Sequence, residues 1–371
     1  MTRPPVFFWQ NMPAHHQVGA LERMASRWGA PVTAVWAGGL SAQRVADGWR
    51  TIPCASLRQV TLPAEGWRER VGEIIAEQPT ALHVFSGLGA YAPLDHAVRQ
   101  LRLRGDAGIG VIAETVFKEP HLHLPRYLKG RLVYGRSRGM IRAALGIGTA
   151  GMRFFRRMGL SDEVIFPYAY QTTGAVAPRT SGSGRLAFVG KLERYKGPDI
   201  LLEALVRCAD LKWTLDVYGD GSMGAELRRR AAAAGLAGRI TFHGVVPSDQ
   251  VVARLCRADI CVVPSRHEGW GMAATEAIRA GATVIVSDSA GSVDIPRVHG
   301  VGAHFRSGDA ARLSALLRER LLSPSMLEAE QARAADLAVR LSAESVGDYL
   351  AVVIDHAFLG AGQRPRAPWM S

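Results

Sequence analysis

The sequence predicts a protein of two doubly wound α/β domains, each a parallel β-sheet with helices on both faces. Three observations lead to this prediction: the chain is long, short apolar runs alternate with helix-like segments, and this alternation stops once and then restarts. With 371 residues, the chain is too long for one small hydrophobic core. Hydrophobic residues make up 48% and charged residues 21%, which is typical of a packed globular protein and excludes a largely disordered one.

The first half of the chain predicts a parallel sheet. Apolar runs of strand length occur at 5–9, 32–36, 81–85, 110–113, 144–147 and 164–167. Helix-like segments between several of them cover 17–28, 66–77 and 93–104. Because parallel strands need long crossover connections, this strand–helix–strand order favours a parallel sheet covered on both faces. Residues 1–170 are therefore predicted to form the first domain.

The alternation restarts after the polar segment "QTTGAVAPRTSGSG", residues 171–184, which is typical of an interdomain linker. Further strands are predicted at 186–189, 213–218, 240–242, 260–264 and 283–287. Helices are predicted at 197–209, 223–235, 248–257 and 271–280. These belong to a second domain over 185–343, whose tail from 309 onward is helical. The C-terminal segment 344–371 comprises a last helix, near 344–359, and a short tail. This helix is expected to pack back on the first domain. Two such domains on one linker predict a cleft, with the carboxyl ends of the two sets of strands facing each other.

The charge and cysteine content narrow the function classes. A net charge of +12 favours a phosphate-rich ligand, an anionic membrane surface or nucleic acid. No nucleic-acid-binding module is recognisable, so nucleic acid is not an expected partner. The four cysteines are scattered without CxxC spacing, which favours a reducing compartment and disfavours a structural metal. Neither a secretory signal nor a membrane-spanning segment is recognisable, so a cytoplasmic location is expected.

The positive charge is concentrated in residues 120–161, which contain no aspartate or glutamate. The cations are Arg126, Lys129, Arg131, Arg136, Arg138, Arg142, Arg153, Arg156 and Arg157. Tyrosine, leucine, valine, methionine and isoleucine lie between them, so an amphipathic helix on anionic lipid is one interpretation. A solvated helix with no partner is the other.

The segment "FVGKLERYKG", residues 188–197, joins a predicted strand to a predicted helix. The strand ends at Gly190, and Lys191 and Lys196 follow in a short loop. Two ammonium groups at a strand end, where a helix dipole also favours an anion, suit a diphosphate. The alternative is a pair of solvated loop lysines.

Two further strands end in glycine. "VYGDGS" (217–222) contains Gly219, and "ITFHGVV" (240–246) contains Gly244. Glycine lets a backbone approach a ligand closely, although a plain turn after each strand explains both patterns equally well.

"SRHEGWGMAATEA", residues 265–277, holds two glutamates around a predicted helix start. Gly269 and Gly271 form a turn, and the helix begins near Met272, where free N–H groups favour an anion. Glu268 precedes that turn, and Glu276 lies about 6 Å along the helix axis from its start. Carboxylates accept hydrogen bonds from hydroxyls, so the pattern suits a molecule with hydroxyls on both sides of a phosphate, such as a nucleotide sugar.

These segments, and above all 264–291, resemble the retaining glycosyltransferases of family 4, which have the GT-B fold and an E-x7-E motif. The resemblance covers nearly all of 185–300. It implies that Lys191 and Lys196 hold the donor diphosphate. It also implies that Glu268 and the backbone amides from Gly269 through Trp270 and Gly271 to Met272 hold the sugar and distal phosphate. Glu276 takes the ribose hydroxyls. Position 191 is usually arginine in the family, and lysine lacks the bidentate fork.

The first half matches the family less well. Many relatives have a Gly-Gly loop after the first strand, whereas "NMPAHHQVGAL" (11–21) has one glycine there. His16 and Gln17, with His15, are expected to face the acceptor or the transferring sugar, unless they simply begin a helix. Glu114 stands where many relatives carry a histidine near the transferring sugar. His121 and His123 are interpreted as surface residues.

The resemblance implies transfer of a sugar from a nucleoside-diphosphate-sugar to an acceptor hydroxyl with retention of anomeric configuration. No D-x-D sequence occurs, so no metal ion or other cofactor is expected, and the lysines and helix amides replace it. The basic stretch favours a lipid-linked or membrane-proximal saccharide acceptor in bacterial surface polysaccharide assembly, and a peripheral location on the inner face of the plasma membrane. A GT-B epimerase or phosphorylase, and an inactive nucleotide-sugar-binding protein, are the alternatives.

Overall fold

A computed structural model of the chain describes residues 3–105, 108–114, 123–172 and 184–370. The chain divides into two compact units. The first comprises Met1–Ser41, Thr51–Gln171 and Ser342–Ser371, and the second comprises Ala42–Arg50 and Thr172–Leu341. Most of the predicted linker, residues 173–183, lies outside the described residues.

The sheet of the first unit has seven parallel strands in the order β3-β2-β1-β4-β5-β6-β7. They are β1 (Val6–Gln10), β2 (Val32–Trp36), β3 (Arg58–Thr61), β4 (Leu82–Ser86), β5 (Ile109–Ala113), β6 (Ile141–Ile147) and β7 (Ile165–Tyr168). Six of these strands confirm the sequence predictions. The edge strand β3 was not predicted, because its side chains are mostly exposed and polar and it lacks an apolar run. The strand order changes direction between β1 and β4, where ligands bind in folds of this kind.

Helices cover the sheet of the first unit. They are α1 (His15–Trp28), α3 (Trp67–Glu77), α4 (Ala92–Arg104), α5 (His123–Ser137), α6 (Gly148–Arg157) and α14 (Ala343–Leu359), while α2 (Ala42–Ala46) belongs to the second unit. Helix α14 packs tightly on α1, since a Cβ on Gly347 would lie 2.6 Å from the carbonyl oxygen of Ala20. Arg23 of α1 donates two hydrogen bonds, 2.8 and 2.9 Å long, to Asp348 of α14. The last helix is therefore part of the first unit.

The second unit repeats this architecture with six parallel strands in the order β10-β9-β8-β11-β12-β13. They are β8 (Arg185–Val189), β9 (Thr214–Tyr218), β10 (Ile240–Gly244), β11 (Ile260–Val263), β12 (Thr283–Ser287) and β13 (Ala303–Phe305). The helices are α7 (Pro198–Val206), α8 (Gly224–Ala233), α9 (Val251–Leu255), α10 (Met272–Arg279), α11 (Asp294–His299), α12 (Ala310–Leu322) and α13 (Pro324–Arg340). Five predicted strands and the helical tail are confirmed. The sixth strand, β13, has only three residues and was not predicted.

The predicted fold class, two doubly wound α/β units, is confirmed. In each unit buried aliphatic and aromatic side chains from the strands pack against the covering helices. Within the described ranges, no helix has the length and apolar character needed to cross a membrane.

Candidate functional site

In the second unit, three strands meet at their carboxyl ends through glycine. The N–H of Gly190, after β8, donates to the carbonyl of Tyr218 at 2.9 Å, and the N–H of Gly219 donates to the carbonyl of Gly244 at 2.7 Å. Gly219 has φ +137°, and a Cβ there would lie 2.0 Å from the carbonyl oxygen of Gly190. Only glycine fits this contact. The structure thus brings the three predicted glycines together at one sheet edge.

The predicted lysine loop lies at the same edge, and both of its lysines are ion-paired. Lys191 Nζ is 2.8 Å from Asp47 Oδ2. Burial alone would raise the pKa of Asp47, but hydrogen bonds from Lys191 and Gln43 hold that pKa below its usual value. Lys196 pairs with Glu268, the first carboxylate of the predicted motif. Each predicted phosphate ligand therefore has a carboxylate partner within the second unit.

Helix α10 begins beside Glu268 without a side-chain cap. Gly271 precedes the helix with φ +98° and, since it has no side chain, it does not cap the amides of the first turn. The amides of this turn and the positive end of the helix dipole thus favour an anion at this point. The Trp270 side chain is buried, and its indole donates to Thr275 Oγ1 at 2.8 Å. The Trp270 side chain is therefore not available to a ligand. The predicted contact at this position uses a backbone amide, as do the predicted contacts from Gly269 to Met272.

Glu276, the second carboxylate of the motif, is buried on α10 with 5% exposure. Burial raises its pKa to about 7, and the positive charge of Lys196 opposes this rise. Lys196 therefore acts electrostatically on both predicted carboxylates, through an ion pair with Glu268 and through attraction to Glu276. Lys196, Glu268 and Glu276 thus form one charged cluster.

Two contacts that position this cluster were not predicted. Arg266, in the loop before Glu268, donates a bidentate pair of hydrogen bonds to Asp199 at 2.7 and 2.8 Å. Burial would raise the pKa of Asp199, but Arg266 holds it below its usual value. Glu193 accepts hydrogen bonds from the backbone and hydroxyl of Ser222 at 2.9 and 2.7 Å. Both contacts join residues far apart in sequence, so no local motif marks them.

The predicted residues of the first unit cluster around Tyr170, which was not predicted. The rings of His16 and Tyr170 are 4.3 Å apart, edge to face, and His15 packs against His16 at 5.3 Å. The pKa of Tyr170 is raised well above its usual value, first by burial and then by the charge of Glu114, and a hydrogen bond from Gln17 opposes the rise. The structure therefore brings all four predicted residues to one place in this unit. His121 and the side chain of His123 lie outside the described residues.

The arrangement of the side chains bears on whether either cluster could hold a metal ion. Among residues 3–105, 108–114, 123–172 and 184–370, no group of three or more histidine, cysteine, aspartate or glutamate side chains is arranged to hold a metal ion.

Comparison with known proteins finds similarity to a family over part of the chain. Residues 176–336 match the family model of glycosyl transferases group 1. The chain is 30% identical over 151 residues to 2-deoxystreptamine glucosyltransferase of Streptomyces kanamyceticus, covering 40% of this chain and 39% of that protein. It is 25% identical over 201 residues to a lipopolysaccharide core biosynthesis mannosyltransferase of Rhizobium leguminosarum bv. viciae, covering 51% and 56% of the two chains. In both cases the matched part spans less than two thirds of the curated relative.

Solved structures give the fold of the whole chain. The chain matches Anabaena HepE in complex with UDP with a TM-score of 0.72 and 15% identity, covering 95% of this chain and 100% of that one. HepE in complex with UDP-glucose matches with a TM-score of 0.70. The chain is thus similar to group 1 glycosyl transferases over residues 176–336, and as a whole it has the GT-B fold of two Rossmann-like domains.

Proposed function

We propose that the protein is a metal-independent retaining glycosyltransferase of family 4, with the E-x7-E motif at Glu268 and Glu276, that transfers a hexosyl group from a nucleoside-diphosphate-sugar to an acceptor hydroxyl. One observation carries the proposal. Lys196 interacts with both glutamates of the motif: it is ion-paired with Glu268, which precedes α10, and its charge attracts Glu276 within α10. The group 1 match over residues 176–336 supports the same assignment.

The charges of this cluster suit a bound nucleotide sugar. The diphosphate replaces the carboxylates as the partner of Lys191 and Lys196, and the first-turn amides of α10 bind a phosphate oxygen. Glu268, released from its ion pair, accepts hydrogen bonds from the sugar hydroxyls, and Glu276 accepts them from the ribose. Gly190 and Gly244 leave room for the nucleotide to approach the backbone, whereas at Gly219 the space that a Cβ would need is filled by the carbonyl of Gly190.

The proposed reaction breaks the bond between the anomeric carbon and the diphosphate oxygen, and the bonding electrons leave with the diphosphate. The acceptor oxygen forms its new bond on the same face of the sugar, and the acceptor proton passes to a diphosphate oxygen. The main requirement is stabilisation of the departing negative charge, which the two lysines and the helix amides supply without a metal ion.

The acceptor side is assigned to the first unit. We place His15, His16, Gln17 and Glu114 near the acceptor or the transferring sugar, because they converge on Tyr170 at the carboxyl ends of the strands. The proposed acceptor is a lipid-linked or membrane-proximal saccharide of a bacterial surface polysaccharide, with the protein on the inner face of the plasma membrane. The similarity to a lipopolysaccharide core mannosyltransferase and the acid-free stretch 120–161 support this choice.

The test is donor hydrolysis by the purified protein. A panel of nucleotide sugars is incubated without an acceptor, and release of nucleoside diphosphate is measured. We expect slow release from one donor, reduced about a hundredfold or more in Lys196→Ala and in Glu268→Ala. Lys212→Ala and Glu226→Ala serve as matched controls, because both side chains are exposed in the same unit and lie outside the cluster, and release should be unchanged.

Other outcomes contradict the proposal in distinct ways. Interconversion of nucleotide sugars without release of diphosphate identifies an epimerase, and release that depends on inorganic phosphate identifies a phosphorylase. Binding of a donor with no turnover, even with acceptors present, identifies a binding protein. An inverted product anomer excludes family 4, and a trapped covalent glycosyl adduct excludes same-face displacement.

A further inference from the structure

Helix α5 of the first unit exposes a row of three leucines. Leu124, Leu128 and Leu132 have 67%, 57% and 52% of their surface exposed. They are spaced four residues apart, so they form one stripe along the helix, which we call the leucine ridge. A scattered exposed leucine is ordinary on a protein surface, but three in one stripe form an apolar strip that nothing on the described surface covers.

The opposite side of α5 already faces the core. Tyr134 is buried, and its ring lies edge to face with the rings of Phe154 and Phe155 of α6, 5.5 and 5.8 Å away. Ser137 is buried on the same side and accepts a hydrogen bond from Arg102 of α4 at 2.8 Å. At 100° per residue these positions lie opposite the leucine ridge. Packing within the unit therefore does not account for the three leucines.

Cations flank the leucine ridge on both sides. The helical positions place Lys129 and Arg136 along one side of the stripe and Arg131 along the other, and all three are exposed. Lys129 donates to the carbonyl of Gly89, and Arg131 donates to the carbonyl of Arg157 at the end of α6. Further exposed cations on α5 and α6 or directly after them are Arg126, Arg138, Arg153, Arg156 and Arg157. Arg156 pairs with Asp162, the first acid after this stretch.

We infer that the leucine ridge docks the first unit on a bilayer containing anionic lipid. Leucines enter the boundary between headgroups and acyl chains, and the flanking lysine and arginines bind lipid phosphates. The arrangement favours lipid because the apolar stripe is narrow, is bordered by cations on both sides, and is free of acids across residues 120–161. Under the proposed function, this docking would bring the enzyme to a membrane-bound acceptor. The inference of docking itself depends only on the leucine ridge and the cations beside it.

The first experiment is vesicle flotation of the full chain. Vesicles of phosphatidylcholine alone are compared with vesicles of phosphatidylcholine and phosphatidylglycerol. We expect the protein to float with the anionic vesicles and binding to fall as salt is raised. Replacing the ridge by Leu124→Ser/Leu128→Ser/Leu132→Ser should weaken binding more than tenfold, about the effect of losing three partly buried apolar side chains. Thermal unfolding of this variant should match that of the unaltered protein, because the three positions are exposed.

The second experiment reports insertion directly. In a Cys54→Ser background, the remaining cysteines Cys208, Cys256 and Cys261 are buried, so Leu128→Cys introduces a thiol that an environment-sensitive fluorophore labels selectively. Anionic vesicles should shift its emission to the blue. A fluorophore at Leu322→Cys, a position on α12 with 63% exposure and Glu319 one turn away, is the matched control and should show no shift.

The outcomes separate this inference from the proposed function. Failure of the protein to float with either vesicle, or equal flotation of the triple serine variant, overturns the docking. Equal binding to neutral vesicles removes the electrostatic part of it. Donor hydrolysis without vesicles depends on Lys196 and Glu268 and should be the same in the triple serine variant, so a loss of membrane binding with intact hydrolysis leaves the proposed function standing.

Discussion

The two candidate clusters of this protein differ in how many of their side chains are charged and ion-paired. In the second unit, Lys191 and Lys196 are each paired with a carboxylate, so the cluster holds strong charges that neutralise each other. In the first unit, Tyr170 contacts the ring of His16 and the amide of Gln17, and the carboxylate of Glu114 acts on it electrostatically. A cluster of paired charges is suited to exchanging one anion for another, whereas a mostly neutral polar cluster is suited to recognising hydroxyls. This contrast is consistent with the proposed division into a donor side and an acceptor side.

The clusters also differ in what holds them in place. The second unit relies on backbone conformations with positive φ, which favour glycine, at Gly190, Gly219 and Gly271, and on the close approach of Gly219 to the backbone of Gly190. The first unit relies on side chains from the start of α1 and the end of β7 that pack against each other. The two units should therefore respond differently to substitution.

The largest effect is expected from replacing Gly219 by alanine, which adds one methyl group to the second unit and should destabilise it. Gly219→Ala places a Cβ 2.0 Å from a backbone oxygen at φ +137°, and it should lower the free energy of unfolding of this unit by about 3 kcal/mol or more. Hydrogen exchange at increasing urea concentration reports the two units separately. Gly238→Ala is the control, because a Cβ there meets nothing within 4 Å, and its effect should stay within about 0.5 kcal/mol. Equal effects of the two substitutions would show that the strand ends are not held by this contact.

A smaller effect is expected from the protonation of Glu276. Because its pKa is about 7, only a minority of the protein carries the carboxylate at pH 6. Donor affinity should therefore improve about tenfold between pH 6 and pH 8, as the competent fraction rises. Glu276→Gln should remove this dependence and bind weakly at both pH values. Calorimetric titration with the donor found in the hydrolysis panel measures both, with Glu226→Gln as the control; a flat profile for the unaltered protein contradicts the ribose role.

The raised pKa of Glu276 also determines whether the free energy of unfolding rises or falls with pH. The folded protein keeps the Glu276 proton up to about pH 7, whereas an unperturbed glutamate loses it near 4.5. Between these values the folded state binds more protons than the unfolded state, so the free energy of unfolding falls as the pH rises through this window. Urea unfolding of Glu276→Gln should lack this part of the decline.

The smallest effect is expected in the first unit. Tyr170→Phe keeps the ring contact with His16 and removes the hydroxyl that Gln17 binds. Transfer to an acceptor should fall about fivefold, the worth of one hydrogen bond, while donor hydrolysis stays unchanged. Tyr349→Phe on α14, whose ring packs against Trp369, is the control in the same unit. An equal loss of donor hydrolysis would place Tyr170 on the donor side.

Most of the fold could be predicted because buried parallel strands are continuous apolar runs, as in β1 and β12, where every residue is buried. The edge strand β3 could not, because a strand exposed to solvent needs no apolar run. The site of the second unit could be predicted in outline because its glycines, lysines and glutamates lie within local motifs. Tyr170 and the contact between Asp199 and Arg266 were not found, because their partners are distant in sequence and only folding brings them together.

The ion pair between Lys196 and Glu268 has a consequence for selectivity in a protein with a net charge of +12. A free phosphate that takes Lys196 leaves the Glu268 carboxylate, largely shielded from water, without its cation, and that loss offsets the new attraction. A ligand that carries a phosphate together with hydroxyl groups replaces both halves of the pair at once. We therefore expect inorganic phosphate, which lacks sugar hydroxyls, to compete poorly for the proposed site without any steric barrier.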